Sequence, residues 1–222
     1  MKTGNFRVSL EKLGKMKKTI IPSIIANSQK ELNERIKKVN SKIYQLDIMD
    51  GKFVKNKSLW FDFKLPKGKK YEAHLMIENP RFWIEKNWKK AASIIFHAES
   101  FGNAEGIIKL VRSKRKKVGI ALNPGTDLKR IKNQLKKIDL VLVMTVSPGK
   151  YRANFIPKTL DKVKQIRKFK PNMEIEVDGG INEKTIKMAS NFGANRFVVG
   201  SYLQKNTDPK KALGQLRDII KT

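Results

Sequence analysis

Lys42-Ile43-Tyr44-Gln45-Leu46-Asp47-Ile48-Met49 reads as a strand with two unlike faces. Strand side chains alternate, so Tyr44, Leu46 and Ile48 share one face and Gln45, Asp47 and Met49 the other. In a closed barrel the apolar face meets a helix layer, and the polar face turns inward. Two more stretches repeat the pattern. Tyr71–Met76 sets Glu72, His74 and Met76 on one face. Met173–Asp178 sets Glu174, Glu176 and Asp178 on one face and Ile175 and Val177 on the other. Polar residues from three distant strands thus point to one end of a barrel, the C-terminal mouth where barrel active sites lie.

Around these three, the strand candidates are Thr19–Ile25, Ser93–Ala98, Val118–Asn123, Leu140–Ser147 and Arg196–Gly200. Helical patterns alternate with them. Ser28 with Glu31 is a capping-box signature ahead of Leu32, Ile36 and Val39. Further helices are expected from Pro80 to about Lys90, and over Ala104–Lys116, Asp127–Lys136, Pro157–Phe169, Asn182–Asn191 and Pro209–Ile220. Between Asp50-Gly51 and His74 no helix is convincing, so the second helix is short or absent. Eight βα units in 222 residues predict a single α/β domain, a (β/α)8 barrel over residues 19–222. Residues 1–18 read as a flexible basic extension. The alternative, an open doubly wound sheet, wants a glycine-rich turn after the first strand, and Ser23-Ile24-Ile25-Ala26-Asn27 has none.

The chain has no cysteine, which excludes disulfides and thiolate zinc sites and fits a reducing compartment, the cytoplasm. No apolar run is long enough for a bilayer, so no membrane partner is expected. Lys and Arg number 49 against 20 Asp and Glu, a formal net charge of +29. Such a charge favours anionic partners. The cations are scattered over helix faces, however, and no zinc-finger, basic-zipper or RNA-binding signature accompanies them. The expectation is a solvated lysine-rich surface without a specific nucleic-acid partner.

A buried, unpaired carboxylate costs several kcal/mol, order of magnitude about 3–5. Asp47, His74 and Asp178, with Gln45 nearby, would offset that cost either as ligands of a divalent metal ion or by hydrogen-bonding one another. The seventh and eighth strands lead into Gly179-Gly180 and Gly200-Ser201. Loops there often bind phosphate through backbone N–H groups, and glycine permits close approach. The same glycines also serve simply to turn the chain.

Several motifs together resemble the ribulose-phosphate 3-epimerase family. They are Ile21-Pro22-Ser23-Ile24, Leu46-Asp47-Ile48-Met49-Asp50-Gly51 with Phe53-Val54, and His74-Leu75-Met76. Ala121-Leu122-Asn123-Pro124, Met144-Thr145-Val146-Ser147-Pro148-Gly149, Glu176-Val177-Asp178-Gly179-Gly180-Ile181 and Gly200-Ser201 complete the set. They occur in family order and span nearly everything after residue 19. The resemblance implies a barrel of the ribulose-phosphate-binding type and a metal-dependent isomerase of the pentose phosphate pathway. It would epimerise carbon 3 of D-ribulose 5-phosphate, through an enediolate, to D-xylulose 5-phosphate. Asp47 and Asp178 match the family's acid–base pair and, with His74, its metal ligands. Ser23, His74, Met49, Met76 and Met144 match groups around the substrate; Gly149, Gly179, Gly180, Gly200 and Ser201 match the phosphate-side loops. One divalent ion (Zn, Fe, Co, Mn or Mg) and a homo-oligomer are implied as well.

Three departures stand out. Gln45 occupies the place of a metal-binding histidine, which favours harder ions and leaves the metal's identity open. After Pro148-Gly149, Lys150-Tyr151-Arg152-Ala153-Asn154 replaces a glycine-rich loop, and Lys150 or Arg152 would pair with phosphate directly. Lys55 replaces a proline. The other readings are an epimerase of a related keto-sugar phosphate, such as a hexulose 6-phosphate, and a phosphate-binding barrel impaired in catalysis.

Overall fold

The structure, a computed structural model, describes residues 16–100, 103–149 and 154–221. Its centre is a closed barrel of eight parallel strands. These are β1 (Thr19–Ile24), β2 (Ile43–Asp50), β4 (Lys70–Met76), β5 (Ser93–His97), β6 (Lys117–Leu122), β7 (Leu140–Met144), β8 (Glu174–Asp178) and β9 (Arg196–Val199). Pairing of β1 with both β2 and β9 closes the ring. A two-residue strand, β3 (Lys57–Ser58), runs antiparallel to the end of β2. Residues 51–69 hold no helix, as the sequence predicts.

The helices are α1 (Gln29–Lys38), α2 (Pro80–Asn87), α3 (Ala104–Ser113), α4 (Leu160–Phe169), α5 (Glu183–Asn191), α6 (Ser201–Lys205) and α7 (Pro209–Lys221). In α1 the Ser28 hydroxyl accepts from the Glu31 N–H while Glu31 accepts from the Asn27 N–H, and Leu32 and Ile36 turn inward. Asn182 and Thr185 close a capping box on α5. Ala212, Leu213, Leu216 and Ile220 form the buried stripe of α7 at helical spacing. The outward strand residues Tyr44, Leu46, Ile48, Ile175 and Val177 join this helix layer in one apolar core.

Some boundaries differ from the expectation. Residues 127–136 do not form an α-helix; a 3-10 turn at Leu128–Ile131 is followed by further i to i+3 turns. The apolar residues still turn inward, with Leu128, Ile131 and Leu135 buried. Between Asp127 and Asp139 the charged residues are all cations, so no i,i+4 ion pair supports a helix there. α3 stops at Ser113 because Arg115 adopts the left-handed region, φ 55°, and the Lys116 N–H returns to the Val111 carbonyl. β7 ends at Met144 rather than Ser147, and α4 is preceded by a 3-10 turn at Pro157–Thr159. β3 and α6 were not expected at all. The basic extension, residues 1–18, lies outside the described residues except for 16–18.

Below the mouth a charged plug fills the barrel. Arg196 on β9 donates to Glu72 on β4 and Glu176 on β8, with Glu174 3.5 Å away. Burial and the Glu72 charge push the Glu176 carboxyl up to about 8, against the pull of Arg196. The inward Glu72 and Glu176 of the sequence reading thus share one cation.

Candidate active site

Register brings the polar strand residues together. Asp47 pairs with His74 across β2 and β4, Gln45 with Ser23 across β1 and β2, and Asp178 with Met144 across β7 and β8. His74 Nδ1 lies 3.3 Å from Asp47 Oδ1 and 3.4 Å from Asp178 Oδ2. The Gln45 amide nitrogen donates to both carboxylates, at 2.8 Å to Asp47 and 2.7 Å to Asp178. Gln45 and His74 are fully buried and Asp47 nearly so. Burial pushes the Asp47 carboxyl above the ordinary aspartate range, with the Asp178 charge adding to it and His74 and Gln45 opposing. Burial alone would lower His74, but hydrogen bonds to Asp178 and Asp47 raise it to about 9.

This donor set fits a divalent cation. One ligand atom each from Asp47, His74 and Asp178 lies within 4.8 Å of the others. Two adjacent carboxylates, Asp47 buried and Asp178 partly so, need compensating positive charge. The Gln45 carbonyl oxygen is buried without a hydrogen-bond partner, and turning the amide over brings that oxygen to face the carboxylates. Oxygen, oxygen and imidazole nitrogen, plus an amide oxygen, suit Mn, Mg, Fe, Co or Zn. Without an ion, the amide N–H groups partly fill the same electrostatic role.

Above the cluster opens a cavity of about 550 Å³, lined by Ser23, Asp47, Met49, Met76, Met144 and Asp178. Gly149, Gly179, Gly180, Gly200 and Ser201 rim it. His74 is not among the residues that line the cavity; its Nδ1 faces Asp47 and Asp178, which do. Lys150 and Arg152 fall outside the described residues. Gly179 needs to be glycine: φ is +114°, and a Cβ there would lie 2.3 Å from Val146. At Gly200 an added Cβ would meet the Ser23 hydroxyl at 2.7 Å. The Thr145 hydroxyl donates to the Asp178 carbonyl at 2.9 Å and pins the turn after β8.

Two groups escaped the sequence reading. His97, on β5, contacts His74 through their Nε2 atoms at 2.9 Å, and its Nδ1 lies 3.3 Å from Glu99. The alternation Ser93, Ile95, His97 on the inner face was the available signal. Asn56, in the irregular segment, donates to the Gly149 carbonyl at the rim.

Residues 19–204 match the model of the ribulose-phosphate 3-epimerase family. The chain belongs to that family. It is 36% identical over 212 residues to the ribulose-phosphate 3-epimerase of Mycobacterium bovis, covering 89% of this chain and 91% of the relative. It is 34% identical to the Bacillus subtilis enzyme over 217 residues (89% and 97%), and 37% identical to that of Buchnera aphidicola over 223 residues (93% and 97%). This epimerase-family chain is therefore an isomerase of carbohydrate metabolism. Among solved structures, 3-hexulose-6-phosphate synthase from Salmonella typhimurium superposes with a TM-score of 0.67 at 16% identity, covering 92% of this chain and 98% of that one. Orotidine 5'-monophosphate decarboxylase from Sulfolobus solfataricus gives 0.62 at 15%, covering 92% and 98%. These likenesses show the barrel fold alone. Among the described residues no helix is long and apolar enough to cross a membrane.

Proposed function

We propose that this chain epimerises carbon 3 of D-ribulose 5-phosphate to D-xylulose 5-phosphate, with Asp47 and Asp178 as the proton-transferring pair. The observation that supports it most is the meeting of two carboxylates at one imidazole nitrogen on the floor of a cavity. A proton beside a ketone is weakly acidic, so its removal needs a positioned base and stabilisation of the charge left behind. A divalent cation held by Asp47, His74 and Asp178, with Gln45 turned to present its oxygen, would stabilise that charge.

One aspartate takes the proton from carbon 3 and the other returns one, inverting the centre. Positioned acid–base groups contribute about 10²–10⁴-fold. Met49, Met76 and Met144 keep water from the reacting carbon without offering it a proton. The Gly179-Gly180 and Gly200-Ser201 loops seat the phosphate on backbone N–H groups, with Ser23 on the sugar and Lys150 or Arg152 adding charge. The absence of cysteine suits work in a reducing compartment such as the cytoplasm.

The test is turnover of ribulose 5-phosphate by protein stripped with chelator and reloaded separately with Zn, Fe, Co, Mn or Mg. At least one ion should restore epimerisation. Failure of every ion to support turnover or solvent-proton exchange at carbon 3 would reject the reading.

A further inference from the structure

We propose that His97 and Glu99 are positioning residues that hold the hydrogen of His74 on Nε2, so that Nδ1, which faces the cation site, can give up its own. The inference rests on reading Asp47, His74 and Asp178 as that site. The two imidazoles meet edge to edge, with centroids 5.0 Å apart, planes inclined by 21° and Nε2 atoms 2.9 Å apart. Only one hydrogen fits between two nitrogens at that distance. Which histidine carries it is decided further along the chain of contacts.

Glu99 anchors the far end. Its Oε1 accepts the Asn123 N–H at 3.0 Å, Thr126 also hydrogen-bonds to it, and its Oε2 faces His97 Nδ1 at 3.3 Å. An ionised carboxylate can only accept, so His97 carries its hydrogen on Nδ1. Its Nε2 is then an acceptor, and His74 must donate from Nε2. That leaves His74 Nδ1 as the atom aimed at Asp47 and Asp178; a cation displaces the proton it shares with them and takes its lone pair, while the Nε2–H bond to His97 stays intact. The Phe53 ring, 4.8 Å from the His97 ring, holds the pair in place.

The polarity of this chain can be reversed at its end. In Glu99→Gln the amide oxygen is still required by the Asn123 N–H, so the NH₂ group faces His97 Nδ1. The hydrogen of His97 moves to Nε2, His74 must accept there, and the hydrogen on His74 Nδ1 then stays where a cation needs a lone pair. His97→Leu removes the acceptor altogether.

The experiment compares wild type, Glu99→Gln and His97→Leu by calorimetric titration with Mn²⁺. Histidine ¹⁵N spectra of the ion-free proteins supply a second readout, which a merely structural role would not move. The expected results are an Nδ1–H tautomer for wild-type His97, an Nε2–H tautomer in Glu99→Gln, and Mn²⁺ affinity lower by about 10–100-fold in both variants. Should His97→Leu fail to fold, Glu99→Gln carries the comparison. A wild-type Nε2–H tautomer, or Mn²⁺ affinity unchanged in the folded variants, overturns the proposal. A wild type that binds no Mn²⁺ overturns the cation reading of the site instead, and this inference with it.

Discussion

Gln45 places an amide where the buried Asp47 and the partly buried Asp178 carboxylates converge, and its two N–H groups meet both. Replacing it with leucine leaves Asp47 and Asp178 without that donor. Loss of a hydrogen bond to a charged, buried acceptor costs about 1–3 kcal/mol. Gln45→Leu should therefore unfold in less urea than wild type when both are ion-free. Superimposable ion-free curves would show the amide to be idle. At this scale much of the site was legible in the sequence. Asp47, His74 and Asp178 stood out because acids and histidine alternate with apolar residues in short strands. His97 did not, because Ile94, Ile95 and Phe96 make its strand read as a continuous apolar run. Nor did Arg196 reveal itself as the partner of Glu72 and Glu176, since its role depends on register between β8 and β9 rather than on local pattern.

At the scale of elements, the plug and the loops fix the strands relative to one another. Arg196→Met removes the cation between Glu72 and Glu176 on two other strands. Breaking such a buried pair from one side costs about 3–5 kcal/mol. A denaturation midpoint within error of wild type would contradict that account. Asp50 ties the end of β2 to the loop after β4: its carboxylate accepts the N–H groups of Lys52, Phe53 and Glu78 at 2.8–3.0 Å. Burial works against the charge, but these bonds hold the carboxyl below the ordinary aspartate range. Its contribution is thus fully present above about pH 4, the unfolded value, and disappears as pH falls through the lower folded one. Asp50→Asn should lose stability at pH 6, and the difference should shrink on acidification below pH 4; a constant difference would mean that Asp50 acts without its charge. Helices were legible where caps and apolar spacing agreed, as at Ser28 and in α7. Over residues 127–136 the apolar spacing was right, yet the backbone took a 3-10 turn and further i to i+3 turns while keeping the same residues buried.

Across the whole molecule the eight-fold alternation of strand and helix made the fold readable before any coordinate. The surface charge is a separate matter. A net charge of +29 works against compactness through self-repulsion, and salt screens it over about 10 Å at 0.1 M. The melting temperature should rise between 20 and 200 mM sodium chloride, and a fall would mean that surface ion pairs outweigh repulsion. The central claim is that two aspartates on distant strands exchange a proton at one carbon. It is tested most directly by following solvent deuterium into carbon 3 of ribulose 5-phosphate with wild type, Asp47→Asn and Asp178→Asn, all ion-loaded and shown to be folded. Wild type should incorporate deuterium and yield xylulose 5-phosphate, and each variant should form product at least about 10²-fold more slowly. Product formed at the wild-type rate by either variant would contradict the account.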